Sequence, residues 1–135
     1  MAKVLVTGAT GFIGLHCIQQ LLSKGYEVNG TVRSLDREGE IRDGLSASGT
    51  SHSGLELFSV DLNSDEGWDE AMNGCEYVLH VASPISLEDQ DEDYFVKPAV
   101  AGVKRALSFA KKHSVKKVVL TSSVAAIFDT MEKKD

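Results

Sequence analysis

Three glycines spaced three apart, Gly8, Gly11 and Gly14, mark the stretch of this chain best suited to chemistry. They follow the apolar run Val4-Leu5-Val6-Thr7 and lead into an amphipathic pattern, which reads as strand, tight turn and helix. Gly8 permits a sharp turn at the strand end, Gly11 lets a phosphate approach the backbone, and Gly14 lets the helix pack closely on the sheet. The free N–H groups of the helix's first turn, with the positive end of its dipole, then form an anion site. A nucleotide pyrophosphate is the expected occupant. The residues expected to hold it are Thr7, Gly8, Thr10, Gly11, Phe12, Ile13 and Gly14. The spacing is G-x-x-G-x-x-G, not the G-x-G-x-x-G of the general dinucleotide fingerprint, so the strand before and the helix after are what give it meaning.

A second group of residues bears on which dinucleotide would bind. A strand expected over residues 27–32 ends at Arg33, with Ser34 and Arg37 close behind. In a doubly wound fold this strand end faces the adenosine ribose, where an acidic residue accepts from the 2′-hydroxyl and a basic one suits a 2′-phosphate. Arg33 and Arg37 therefore favour NADP(H) over NAD(H).

The elements that must position these residues alternate. The first helix is expected over 12–24 and stops at Gly25, with Gly14, Ile18, Leu21 and Leu22 on one face; His16 and Cys17 within it read as packing or surface residues. Residues 37–42 suit a short helix, and 44–54 read as a flexible serine/glycine loop that leaves His52 facing solvent. A third strand over 55–60 ends at Asp61-Leu62. Ser64 is placed to cap a short helix through Trp68 and Met72, closed by Gly74. A fourth strand, 77–81, leads into Ala82-Ser83-Pro84, and the acidic residues 86–93 read as a solvated loop. The last helix is expected over 94–113. Val96, Val100, Val103, Leu107 and Ala110 form its buried stripe, Pro98 lies near its first turn or bends it, and Lys111, Lys112 and His113 suit its negative end. A fifth strand over 117–121 ends at Ser122-Ser123.

Five strands separated by four helical connections, with no internal repeat, predict an α/β fold: a Rossmann-type doubly wound parallel sheet of order 3-2-1-4-5. Ligands bind beyond the carboxyl ends of such strands, and Gly8, Arg33, Asp61, Ala82 and Ser123 all sit at those ends.

Composition narrows the setting. A chain of 135 residues suffices for one domain and one core. No stretch approaches the ~20 apolar residues of a membrane span. The N-terminus enters a strand with no basic stretch and long apolar run before it, so no signal peptide is expected and the cytoplasm is the expected location. Cys17 and Cys75 are too few for a disulfide framework or a metal site and read as free buried thiols. The formal charge of −6 argues against nucleic acid as a partner.

Thr7 to Gly14, Thr31-Val32-Arg33, Asp61-Leu62, Asn73-Gly74-Cys75, His80 to Pro84 and Val119 to Ser123 fall in an order that resembles the N-terminal half of extended short-chain dehydrogenase/reductases. The branch they resemble is that of dihydroflavonol reductases and cinnamoyl-CoA reductases, within the NAD-dependent epimerase/dehydratase superfamily. The resemblance implies a soluble enzyme that reduces a small-molecule carbonyl with NADPH, using a serine, a tyrosine and a lysine. It implies that Asp61 and Leu62 flank the adenine, that Val81, Ala82 and Ser83 line the middle of the cofactor, and that Thr121 is also among the cofactor-binding residues. Ser123 would hold the substrate carbonyl, with Ser122 as its rival, since adjacent residues of a strand point to opposite sides.

The family's tyrosine precedes its lysine by four residues. Here Tyr26, Tyr77 and Tyr94 are followed four later by Gly30, Val81 and Pro98, so the pair is absent from these residues. The expectation is an incomplete nucleotide-binding domain over 1–135 whose substrate-binding part lies beyond it. Three readings stay open: an NADPH-dependent carbonyl reductase represented by its nucleotide-binding half, a non-catalytic NADP(H)-binding or sensing module, and an inactive remnant. In each, Val118, Val119 and Leu120 would leave an apolar edge that invites self-association.

Overall fold

The run Lys3–Thr7 (β1) is apolar on both of its faces, as a strand at the centre of a parallel sheet must be. In the computed structural model, which describes residues 1–83 and 91–127, β1 pairs in parallel with β2 (Glu27–Val32) and with β4 (Tyr77–His80). Beyond these, β3 (Leu55–Ser59) pairs with β2, and β5 (Lys117–Leu120) with β4. The order is β3-β2-β1-β4-β5, as predicted. The register sets Thr7 opposite His80 and His80 opposite Leu120, so three carboxyl ends finish level.

Four helices cover the sheet: α1 (Phe12–Ser23), α2 (Glu38–Ala47), α3 (Trp68–Met72) and α4 (Glu92–Lys112). Val4, Val6, Val28 and Leu55 meet Ile18 of α1 and Ile41 and Leu45 of α2 on one face. Leu5, Val60 and Val78 meet Trp68 and Met72 of α3 and Ala106 and Ala110 of α4 on the other. Successive strand residues thus feed opposite cores. Asn29, buried within β2, donates from Nδ2 to the Ala71 carbonyl at 2.7 Å, which ties the sheet to the end of α3. Among the described residues no helix is long and apolar enough to cross a membrane.

Several local expectations need correction. The second helix runs on through Gly44 to Ala47, because Ile41 and Leu45, one turn apart, are both buried against β2 and α1. Tertiary burial outweighs the weak propensity of that segment. His52 is half-buried, its Nδ1 3.0 Å from Arg42 Nη1, and does not simply face solvent. Ser64 does not cap α3: its hydroxyl accepts from the Glu66 N–H at 3.2 Å, and Gly67 occupies the cap position with φ +82°.

The last helix starts at Glu92, so Glu92 and Asp93 belong to it and Asp91 precedes it; residues 86–90 of the expected acidic loop lie outside the described residues. Pro98 consequently sits in the second turn, inside the helix. The buried row of α4 is Gly102, Ala106 and Ala110, whereas Val96, Val100 and Leu107 of the expected stripe are about half exposed. Close packing explains the choice. A Cβ on Gly102 would lie 2.7 Å from Leu62 Cδ2, so only small residues let α4 approach this near.

Candidate functional site

The turn after β1 has backbone requirements that only glycine meets. Gly8 has φ +75°, and a Cβ there would come 3.1 Å from Ala82 Cα at the end of β4. A Cβ on Gly14 would lie 2.1 Å from the Gly8 carbonyl oxygen, so any side chain would drive α1 off the turn. Gly11 is exposed and precedes α1 as its N-cap, with no side chain supplying a cap. The first helical bond beyond it is Leu15 N–H to Gly11 C=O at 2.9 Å, so the amides of Phe12 and Ile13 precede the helical ladder. No acidic residue stands in that first turn to repel an anion. These residues fit a pyrophosphate.

Neighbouring strand ends are laced to this turn. The Ala9 amide donates to the Thr31 carbonyl at 2.9 Å, and the Gly8 amide reaches Thr31 Oγ1 at 3.4 Å. Val60 N–H donates to the Val32 carbonyl at 2.9 Å, and Ser59 Oγ to that of Arg33 at 3.1 Å. On the other side, Thr121 N–H donates to the His80 carbonyl at 3.1 Å. Thr7, expected to touch a ligand, is fully buried instead. Its Oγ1 accepts from the Val81 and Ala82 amides, each at 3.0 Å, and lies 2.9 Å from Nδ1 of buried His80. Burial lowers the His80 pKa, because a charged imidazolium loses its hydration there.

At the end of β2, Arg33, Ser34 and Arg37 are exposed. Arg37 is held by Glu40, Nη2 to Oε2 at 2.8 Å and Nε to Oε1 at 3.1 Å, and this bonding raises the Arg37 pKa and lowers that of Glu40. Arg33 carries no such clamp among the described residues. Ser34 accepts from the Asp36 N–H at 3.3 Å and so shapes the loop. Exposed Asp61 accepts from the Asn63 N–H through Oδ1 at 2.8 Å, and Leu62 is seated on Gly102 of α4. Val81 and Ala82 are half-buried and Ser83 exposed at the end of β4. Thr121, Ser122 and Ser123 lie exposed past β5, just before the 3-10 turn Val124–Ala126.

All the expected site residues described above thus lie at or just beyond the carboxyl edge of the sheet. Sequence reasoning missed the parts played by Thr31 and His80. The available signal was a threonine and a histidine near the carboxyl ends of interior strands, positions that call for a buried polar partner.

The two thiols read as structural. Cys75 is buried and its pKa is pushed up to about 11 by that burial; Cys17 is free and half-buried.

A family model described as 3-beta hydroxysteroid dehydrogenase/isomerase matches residues 5–135. The "Fatty acid hydroxylase uhd1" of Mycosarcoma maydis is 38% identical over 128 residues, which are 94% of this chain and 41% of that protein. Cinnamoyl-CoA reductase 1 of Petunia hybrida is 40% identical over 127 residues, 93% of this chain and 36% of the relative. Among solved structures, yeast methylglyoxal/isovaleraldehyde reductase Gre2 complexed with NADPH superposes with a TM-score of 0.83 at 33% identity. That match covers 98% of this chain and 40% of Gre2. The chain therefore spans about two fifths of the length of the relatives it matches.

Proposed function

The chain belongs to the 3-beta hydroxysteroid dehydrogenase/isomerase family, and from that premise we propose that it is the nucleotide-binding part of an NADP-dependent oxidoreductase that reduces a ketone or aldehyde to an alcohol. One observation carries the reading: the uncapped N-terminus of α1 and the unclamped Arg33 share one edge of the sheet. Together they suit a pyrophosphate and a ribose 2′-phosphate. The structure of Gre2 with NADPH supports a nicotinamide dinucleotide as the ligand class.

In this reading the Phe12 and Ile13 amides bind the pyrophosphate, with exposed Gly11 leaving the backbone open to it. Arg33 pairs with the 2′-phosphate, and Arg37 joins only by giving up Glu40. Asp61 and Leu62 flank the adenine, Val81, Ala82 and Ser83 line the middle of the cofactor, and Thr121 is also among the residues that bind it. Bound NADPH supplies a hydride to the carbonyl carbon. Ser123 donates a hydrogen bond to the carbonyl oxygen as negative charge builds on it, with the neighbouring exposed Ser122 as its rival for that role. The names of the three relatives span unlike substrates, so the assignment goes no further than a carbonyl.

A second reading, cofactor binding without turnover, is favoured by one fact. No tyrosine within these 135 residues is followed four residues later by lysine. Loss of a general acid alone costs ~10²–10⁴-fold in rate. NADPH oxidation with a panel of aldehydes and ketones should therefore stay near background for this chain. Turnover at ordinary rates, abolished by Ser123→Ala, would overturn that expectation and place a proton donor among these residues.

Titration calorimetry tests the binding. NADPH should bind more tightly than NADH, and Arg33→Asp should weaken NADPH by about 1–3 kcal/mol while leaving NADH nearly unchanged. Equal affinities would overturn the preference, and no binding of either would overturn the reading.

A further inference from the structure

The Thr7 hydroxyl has no capacity left for a ligand. A hydroxyl oxygen accepts twice and donates once, and the Val81 and Ala82 amides fill both acceptor positions. Its proton must then go to His80 Nδ1, 2.9 Å away. That leaves Nδ1 as an acceptor and puts the ring proton of neutral His80 on Nε2.

We propose that Thr7 and His80 are positioning residues that set the wall along the middle of the cofactor, residues 81–82, against the glycine turn; the inference rests on the dinucleotide reading above. Ala82 is where the two parts touch, since a Cβ on Gly8 would stand 3.1–3.3 Å from its Cα, N and Cβ. The Ala82 amide is also one of the two that Thr7 holds. One oxygen on β1 therefore fixes the path of residues 81–82, and His80 fixes the direction of that oxygen's proton. The His80 carbonyl carries the linkage on to Thr121 at the end of β5. An isosteric valine at position 7 would leave two amides without their acceptor, and the chain after β4 would turn toward other partners.

Arg33 and the α1 N-terminus lie on the adenosine and phosphate side of this linkage, so the two ends of the ligand should respond differently. Thr7→Val and His80→Leu should raise the Kd for NADPH ~10-fold, the scale of one lost hydrogen bond. The Kd for 2′,5′-ADP, which carries the 2′-phosphate but no nicotinamide, should move less than ~2-fold on the same scale. Thr7→Ser and His80→Asn should bind NADPH like the unaltered chain, because serine keeps the hydroxyl and the asparagine amide stands in the place of Nδ1. His80→Gln, whose amide stands in the place of Nε2, should not.

Should Thr7→Val or His80→Leu fail to fold, the contrast of His80→Asn with His80→Gln decides the matter. The ¹⁵N spectrum of the unaltered protein provides an independent check and should show His80 as the Nε2–H tautomer. Equal losses for NADPH and 2′,5′-ADP would mean a merely structural role and overturn the proposal. So would unchanged NADPH binding in Thr7→Val, or an Nδ1–H tautomer. An unaltered chain that binds neither ligand would overturn the dinucleotide reading itself, a result distinct from NADPH binding that ignores these substitutions.

Discussion

β2 and β5 are both short, valine-bearing parallel strands, yet their surroundings differ. Every residue of β2 after Glu27 is buried, whereas in β5 only Val118 is even half-buried. Val28 is 0% exposed and Val119 51%. The reason is cover. Around β2 lie α1 and α2 on one face and α3 on the other, while β5 has α4 behind Val118 and, among the described residues, no helix over Val119. The same contrast recurs on α4, where Ala106 is buried and Val100 is not. Burial of a valine stabilises by about 1.5–3 kcal/mol. Stability is therefore concentrated in the β1–β3 half, and the β5 end opens most readily.

The sharpest way to break this comparison is at the junction of β1 and α1. Gly14→Ala should cost about 3 kcal/mol or more, at or above the upper end for overpacking, because backbone atoms of the turn cannot yield as a side chain would. Urea unfolding should show that loss and NADPH binding should vanish with it. A variant as stable as the parent would mean that the turn can move away from a Cβ at position 14.

Next in size is one substitution made on both strands. Val28→Ala should cost about 2 kcal/mol and Val119→Ala less than about 0.5 kcal/mol, since only the first removes buried methyl groups. Similar losses would show that Val119 is covered in solution, by another copy of the chain or otherwise. Light scattering separates these outcomes: self-association through the apolar edge should fall on Val119→Lys.

A smaller effect follows from His80. Burial holds its pKa below the ordinary 6.5, so the unfolded chain takes up the proton first as pH falls. Stability should decline below about pH 6.5 and level off once pH is under the lowered folded value. His80→Asn should remove that part of the decline, as thermal melts in matched buffers would show; an identical pH profile in the two proteins would contradict it.

The smallest change is expected at Arg37. With its guanidinium held by Glu40 in an exposed pair, Arg37→Ala should alter NADPH affinity by about 0.5 kcal/mol or less, against the larger loss at Arg33. A loss equal to that of Arg33→Asp would mean the pair opens to the ligand.

Much of the candidate site was legible in one dimension because its signals are local. The glycine spacing, the strand before it and the Arg33 strand end each lie within a dozen residues, and period and turn chemistry suffice to read them. The helix over 38–47 was legible only in part, because Gly44 and the serines after it lower its propensity while Ile41 and Leu45 are claimed by β2 and α1. The buried face of α4 was misread for a related reason. Hydrophobic spacing marks a stripe, but Gly102 wins the contact because Leu62 leaves no room there for a side chain.

The amino-acid order by itself determined the alternation of strands and helices and the glycine turn, since each follows from periodicity and backbone permission within short windows, and the strand order then follows from the rules for parallel crossovers. Only the tertiary structure decided what Thr7 does. Its partners are 73 to 75 residues away, and no local pattern reveals that one hydroxyl will meet two amides and a histidine across neighbouring strands. Cover was decided in the same way. Val28 and Val119 have the same side chain, and their different burial comes from which helices the chain brings over them, a property of packing that residue type does not carry.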